Sequence, residues 1–383
     1  MGSELVYPVD REILMSSDGL IADFAHDDRD IDRILILNES EYGRASPNPS
    51  TDVVSTRASF TWRRDQNPAG QAIIPVIRNH FGDVVGFFWL IPMRIRAQEK
   101  NYVAATGANL VIAPEGRRTF GYTKLMRNFT DALKDTGAVL HFSFVSEENY
   151  KRLRAENSNR TFTVPLLLKP LEYGTLVKCH LKTEWQRFLA NKARWILEPL
   201  FFRRPSLPGD TDVSVQMLDQ FDESFDDFWN RVQDKYRAIV IRDQAFLKWR
   251  FTPVSARRYH ILVARSPDKM LGYSVIRCAN VRGIPTGLIL DLLLLDSNQG
   301  EEAGVCLTAH AEAFFRSQKM SLIAALMVPG SAEYRVLRLL GCRNLGSVFS
   351  PRPFRFAFFV HREDLKSLSV KDWFVTLADF ESL

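Results

Sequence analysis

The stretch Pro114-Glu115-Gly116-Arg117-Arg118-Thr119-Phe120-Gly121-Tyr122 lies between an apolar, strand-like run over 101–113 and a helical pattern over 123–135. Unpaired backbone N–H groups and the positive end of the helix dipole converge where a turn opens a helix, and both favour a bound anion. Arg117 and Arg118 add two guanidinium groups of the geometry that grips phosphate through paired hydrogen bonds. The turn therefore reads as a seat for a phosphate-bearing ligand. For proton transfer the chain offers the carboxylates Glu115, Glu147 and Asp291 and the phenols Tyr150 and Tyr334. Asp291 is the most unusual, because it interrupts Leu288-Ile289-Leu290-Asp291-Leu292-Leu293-Leu294-Leu295, where a charge must face a polar cleft or hold a neutralising partner. Tyr150 and Tyr334 read equally as aromatic packing at a helix start. The seven histidines show no HxxxH or HxH spacing, so no metal centre is expected. Neither GxSxG nor GxxxxGK[ST] occurs, which argues against hydrolase and P-loop chemistry.

The elements that must hold these residues come in two similar sets. Trp62-Arg63 precedes a hairpin over 72–78 and 84–95, and Trp249-Arg250 precedes one over 259–264 and 271–281. Each is followed by a long apolar strand, a helix and a returning strand. Offsets of 187, 182 and 184 residues separate Trp62 from Trp249, Leu125 from Leu307 and Tyr150 from Tyr334. Matches in order at nearly one spacing predict a tandem duplication, with domains at 1–172 and 225–383 and a linker at 173–224. Within the linker, 181–204 alternates tryptophans and aliphatics with arginines and lysines at helical spacing. It predicts an amphipathic helix that either packs between the domains or lies in a membrane surface.

At 383 residues the chain has room for two or three domains, and 46% hydrophobic with 25% charged residues is ordinary for a globular protein with a full core. A net charge of +5 on 50 basic and 45 acidic residues permits an anionic ligand but gives no argument for DNA. The four cysteines are scattered without CxxC pairing, as expected of reduced core residues in a cytoplasmic protein. No run approaches the ~18 apolar residues of a membrane span, so any membrane contact is expected to be peripheral.

The turn resembles the acyl-CoA pyrophosphate loop of the GNAT acyltransferase superfamily. Val111, Pro114, Arg117 and Leu125 fall on the family pattern, while Phe120 and Tyr122 stand where the family has glycine, with Gly121 between them. A narrower likeness is to GNAT proteins of bacterial surface-polysaccharide biosynthesis, carried by the two Trp-Arg pairs and the tail Trp373-Phe374-Val375-Thr376-Leu377-Ala378-Asp379. The resemblance implies an α/β (α+β) fold of two tandem GNAT-like domains, each a mixed, mostly antiparallel sheet flanked by helices. It implies acetyl-CoA or another acyl-CoA as co-substrate, held by Val111, Ile112, Ala113, Arg117, Arg118, Thr119, Phe120, Gly121 and Tyr122, with a backbone N–H near 111–113 polarising the thioester. Direct attack by an amine is implied, the acceptor being a small-molecule or lipid-linked amine such as an amino sugar. The family's acid tyrosine would fall on Glu156, leaving Tyr150 as its substitute, with Glu115 or Asp291 as base. Carboxylates crowd the second turn, Asp296 to Gly304, so the first set is the better phosphate site. Two other readings stay open: a Fem-type transferase drawing on aminoacyl-tRNA, and a non-catalytic scaffold in a membrane-associated assembly.

Overall fold

The computed structural model describes residues 19–45, 57–117, 120–156, 160–172, 212–252, 257–345 and 353–380. Arg118, Thr119 and the expected amphipathic helix at 181–204 lie outside the described residues. The first half runs β1 (Ile21–Phe24), α1 (Asp28–Ala45), α2 (Arg57–Asp65), β2 (Pro75–Arg78), β3 (Val84–Ala97), β4 (Lys100–Ile112), α3 (Pro114–Arg117), α4 (Gly121–Asp135), β5 (Leu140–Phe144), α5 (Glu147–Glu156), β6 (Thr161–Val164) and β7 (Leu166–Pro170). The second runs β8 (Ser214–Leu218), α6 (Ser224–Val232), β9 (Ala238–Val240), α7 (Gln244–Arg250), β10 (His260–Arg265), β11 (Met270–Val281), β12 (Ile284–Leu294), α8 (Asn298–Ser317), β13 (Leu322–Leu326), α9 (Ala332–Leu340), β14 (Arg343–Asn344) and β15 (Phe354–Val360). The succession helix, hairpin, long strand, helix, returning strand, helix occurs in both.

The strands form an eight-stranded sheet of order β1-β2-β3-β4-β5-β15-β6 with β9 on β3, and a seven-stranded sheet of order β14-β7-β13-β12-β11-β10-β8. Among the named strands only β4–β5 and β12–β13 pair in parallel, so the expected mixed, mostly antiparallel sheets flanked by helices are present. Apolar residues crowd both faces of β3 and β12, as they must in strands covered by helices on one side and the facing half on the other.

Each sheet is completed by a strand from the opposite half. β6 stays in the first sheet, but the chain passes through Pro165 and enters the second as β7, beside β13. In return, β14 lies on β7 and the chain comes back as β15, between β5 and β6. Lys169 of β7 is fully buried in an ion pair with Glu312 of α8 at 2.5 Å. Phe356 and Phe358 of β15 pack on Trp373. Where the halves meet, Trp62 and Trp249 stack with ring centroids 5.4 Å apart. Each indole N–H donates to the other residue's carbonyl, at 2.8 and 3.3 Å. One continuous apolar core runs through both halves.

Candidate functional site

The parallel pair β4–β5 is short. Ala105 faces His141 and Thr106 faces Phe142, and beyond that point the strands diverge. At the fork the Ser143 hydroxyl bridges the strands, donating to the Gly107 carbonyl at 3.0 Å and lying 3.2 Å from the Gly107 N–H. Glycine fits closely there: a Cβ on residue 107 would stand 2.6 Å from Phe88 and 2.8 Å from the Ser143 oxygen, so one of those side chains would have to shift. Just past the fork, Asn109 and Leu110 of β4 share the single partner Phe88, a bulge in which Asn109 takes φ 50°. Asn tolerates this left-handed conformation better than most residues. The bulge resets which amides face β3.

The consequence falls on 111–113, where a carbonyl-polarising amide is expected. Ala113 N–H donates to the Val85 carbonyl at 2.8 Å. By the alternation of an antiparallel ladder, Val111 faces β3 as well, and Ile112 points its N–H and C=O away from β3, toward the divergence. Three candidate amides therefore reduce to one, Ile112, and among the described residues no side chain accepts from it. The Ile112 carbonyl accepts from Arg117 Nε at 2.6 Å, and the far end of that guanidinium pairs with Glu41 of α1. Arg117 thus stands at the mouth of the divergence with more than half of its side chain exposed.

The first turn of α4 closes this wall. Its N-cap, Phe120, makes no side-chain capping bond. Phe120 and Tyr122 project into solvent, 72% and 38% exposed. Gly121 is closely packed: a Cβ there would lie 2.5 Å from the Gly116 carbonyl and 2.8 Å from Ile77. Glu115 is exposed on the same turn.

The corresponding fork in the second half is filled. β12 leaves β13 after Ile289 and Ala325, again beside a bulge, at Leu290. Leu294 holds the position of Ile112, opposite Gly272 as Ile112 is opposite Gly86. Its N–H donates to Glu333 Oε1 at 3.0 Å, and Lys235 Nζ bonds the same carboxylate oxygen at 2.7 Å and the Leu294 carbonyl at 2.8 Å. Tyr236 donates to the other Glu333 oxygen, and burial followed by the Glu333 charge raises its phenol pKa. The first turn of α8 is capped by the Ser297 hydroxyl, and a Cβ on Gly300 would fall 2.0 Å from the Leu295 carbonyl. An internal carboxylate and an internal cap hold the two positions that a thioester and a phosphate would need.

Two of the expected catalytic residues lie elsewhere. Asp291 is buried in the second half and faces no cleft. It accepts from Arg242 at 3.1 Å, Tyr273 at 2.8 Å and Thr376 at 2.8 Å, and Arg242 also grips Asp379 with two bonds of 2.7 and 2.8 Å. The expectation of Asp291 as a base is corrected to a structural ion pair. Burial and the neighbouring Asp291 raise the Asp379 pKa against the pull of Arg242. The Thr and Asp of the Trp-x-x-Thr-x-x-Asp stretch belong to the same network and fasten residues 376–379 to the second half. Tyr150 sits on α5 with its ring buried beneath Arg355 and Arg154, 5.3 and 6.0 Å from the ring centre. Arg355, which lies over that ring, lines a cavity at the end of β5. Glu147 of α5 lines that cavity.

Asn109, Ser143, Glu41 and Glu333 were not singled out by sequence reasoning. The Gly-Ala-Asn break inside an apolar strand was the available signal for the bulge; nothing local marks the other three.

Neither a family model nor a curated protein matches the chain. Solved structures do. A conserved Enterococcus faecalis protein described as a probable N-acyltransferase superposes with TM-score 0.58 at 12% identity, over 89% of this chain and 72% of its own. Saccharomyces cerevisiae N-myristoyltransferase with bound myristoyl-CoA gives 0.57 at 12%, over 93% and 89%. A GCN5-related N-acetyltransferase from Anabaena variabilis gives 0.55 at 11%, over 89% and 73%. At such identities the likeness speaks for architecture, and it runs over most of the molecule: the chain has the GNAT fold.

Proposed function

We propose that the protein is an acyl-CoA-dependent N-acyltransferase whose donor site is the β4–β5 divergence of the first half. The observation that carries this reading is the contrast between the two forks. The Ile112 amide and the uncapped start of α4 remain able to donate to a ligand, while their counterparts are held by Glu333 and Ser297. A thioester carbonyl accepting from Ile112 N–H gains a fixed donor as its oxygen becomes negative in the transition state. The CoA diphosphate lies against the first turn of α4 and Arg117. A neutral amine attacks the thioester carbon directly; the C–N bond forms, the C–S bond breaks, and the amine's proton leaves with the thiol. The expected amine acceptor, an amino sugar or surface-glycan precursor, stands as part of this proposal.

Calorimetric titration with CoA tests it. The wild type is expected to bind, and Arg117→Ala to bind about tenfold more weakly, since a charge-assisted hydrogen bond contributes about 1.5–3 kcal/mol and Glu41 offsets part of the charge. Equal affinity in the two proteins would move the donor site away from this turn.

A further inference from the structure

A cavity of about 160 Å³ opens at the end of the β5–β15 ladder, with Phe144, Ser146, Glu147, Phe354 and Arg355 in its lining. It lies one strand residue from the fork: Ser143, which bridges β4 and β5, and Phe144, in the cavity wall, are neighbours on β5 whose side chains point to opposite faces. A donor lying in the plane of the sheet between β4 and β5 and a ligand in this cavity would both abut the C-terminal end of β5. The lining carries both signs of charge. Arg355, largely buried, lies over the Tyr150 ring and pairs with one Glu147 oxygen, while Lys151 Nζ stands 3.6 Å from the other. Glu147 itself is half exposed. Phe144 and Phe354, edge to face at 6.2 Å, give an apolar wall. The volume is well below the ~300 Å³ at which pockets begin to enclose whole small molecules, so it suits one end group.

Resting on the acyltransferase reading, we infer that this cavity seats the reacting end of the acceptor, and that this end carries an amine beside an anion. The amine faces Glu147 and the anion, carboxylate or phosphate, faces Arg355 and Lys151. An amino-sugar 1-phosphate, with its phosphate vicinal to the C2 amine, and an α-amino acid both present this pair of charges.

The test is calorimetric titration of the full chain with glucosamine 1-phosphate, leucine and glucosamine, each with and without CoA. One of the two anionic amines is expected to bind at least tenfold more tightly than glucosamine, and which one does so identifies the source of the anion. Arg355→Gln should abolish that preference. Glu147→Gln, at the solvent-facing start of α5 and so tolerated by the fold, should weaken the anionic amine about tenfold while glucose 1-phosphate, which lacks the amine, is unaffected. Absence of binding by both anionic amines, or wild-type affinity in Glu147→Gln, overturns the inference. CoA titrated into the same proteins separates the two ideas. Amine binding without CoA binding removes the acyltransferase reading and keeps the cavity; CoA binding without amine binding removes only the cavity.

Discussion

Glu333 sits where a substrate carbonyl would sit in an open fork. Its carboxylate is wholly buried and is balanced by Lys235, Tyr236 and the Leu294 amide. Removing one partner of a buried pair leaves the other charge without compensation, which costs about 3–5 kcal/mol. Glu333→Ala is therefore expected to lose that much in urea unfolding while CoA affinity stays at the wild-type value; a small loss would mean that water readily replaces the carboxylate. His141 makes a second residue-level prediction. It stacks on Phe359 and lies 2.9 Å from the His361 ring nitrogen. Burial, with a smaller contribution from His361, lowers its pKa to about 3. Between that value and the ordinary 6.5 the unfolded chain holds a proton that the folded chain does not, so stability falls as pH drops through this window, by at most ~1.4 kcal/mol per pH unit. His141→Phe should flatten the stability profile between pH 6.5 and 4.5; an unchanged slope would assign the acid sensitivity to other groups. The buried carboxylate Asp291 shows why a residue seen alone misleads. A charge in a leucine run demands a partner, but Arg242 lies 49 positions upstream and Asp379 belongs to the tail, and no local pattern connects them.

At the scale of elements, the bulge in β4 decides which amide faces the divergence. Asn109 at φ 50° sets the register that turns Ile112 toward the fork. Asn109→Gly should preserve both stability and CoA binding, since glycine enters this conformation freely. Asn109→Val should cost about 1–2 kcal/mol and weaken CoA, because a β-branched residue resists it. Equal CoA affinity in the two variants would separate the bulge from the site. Most elements were legible in the sequence. The hairpins, the long apolar strands and the helices after them follow from period-2 and period-3.6 patterning and from turn chemistry, and the strand-turn-helix at 101–135 stands where it was expected, its helix beginning two residues early at Gly121. The Trp-Arg pairs were visible as a repeat, but their purpose was not. Trp62 and Trp249 serve each other across the junction rather than a ligand.

At the scale of the whole molecule, the sheet into which each short strand inserts was hidden. β7 and β15 are apolar runs of ordinary composition, and a strand's alternation specifies a face without naming a neighbour. Because each half lends a strand to the other and one core runs through both, the protein is expected to unfold in a single cooperative transition. A fragment ending at residue 172 should lack stable structure when expressed alone. A folded fragment with dispersed amide resonances would show that β5 does not need β15.

The exchange of strands also has a consequence for biosynthesis. Residues 354–360 are the antiparallel neighbour of both β5 and β6. While a ribosome is still translating the second half, the first sheet stands with β5 exposed along one side, a template for pairing with any other nascent chain nearby. Closure of the first half waits for residues 354–360 to emerge, and the yield of native protein should depend on chaperones that shield that edge during the interval.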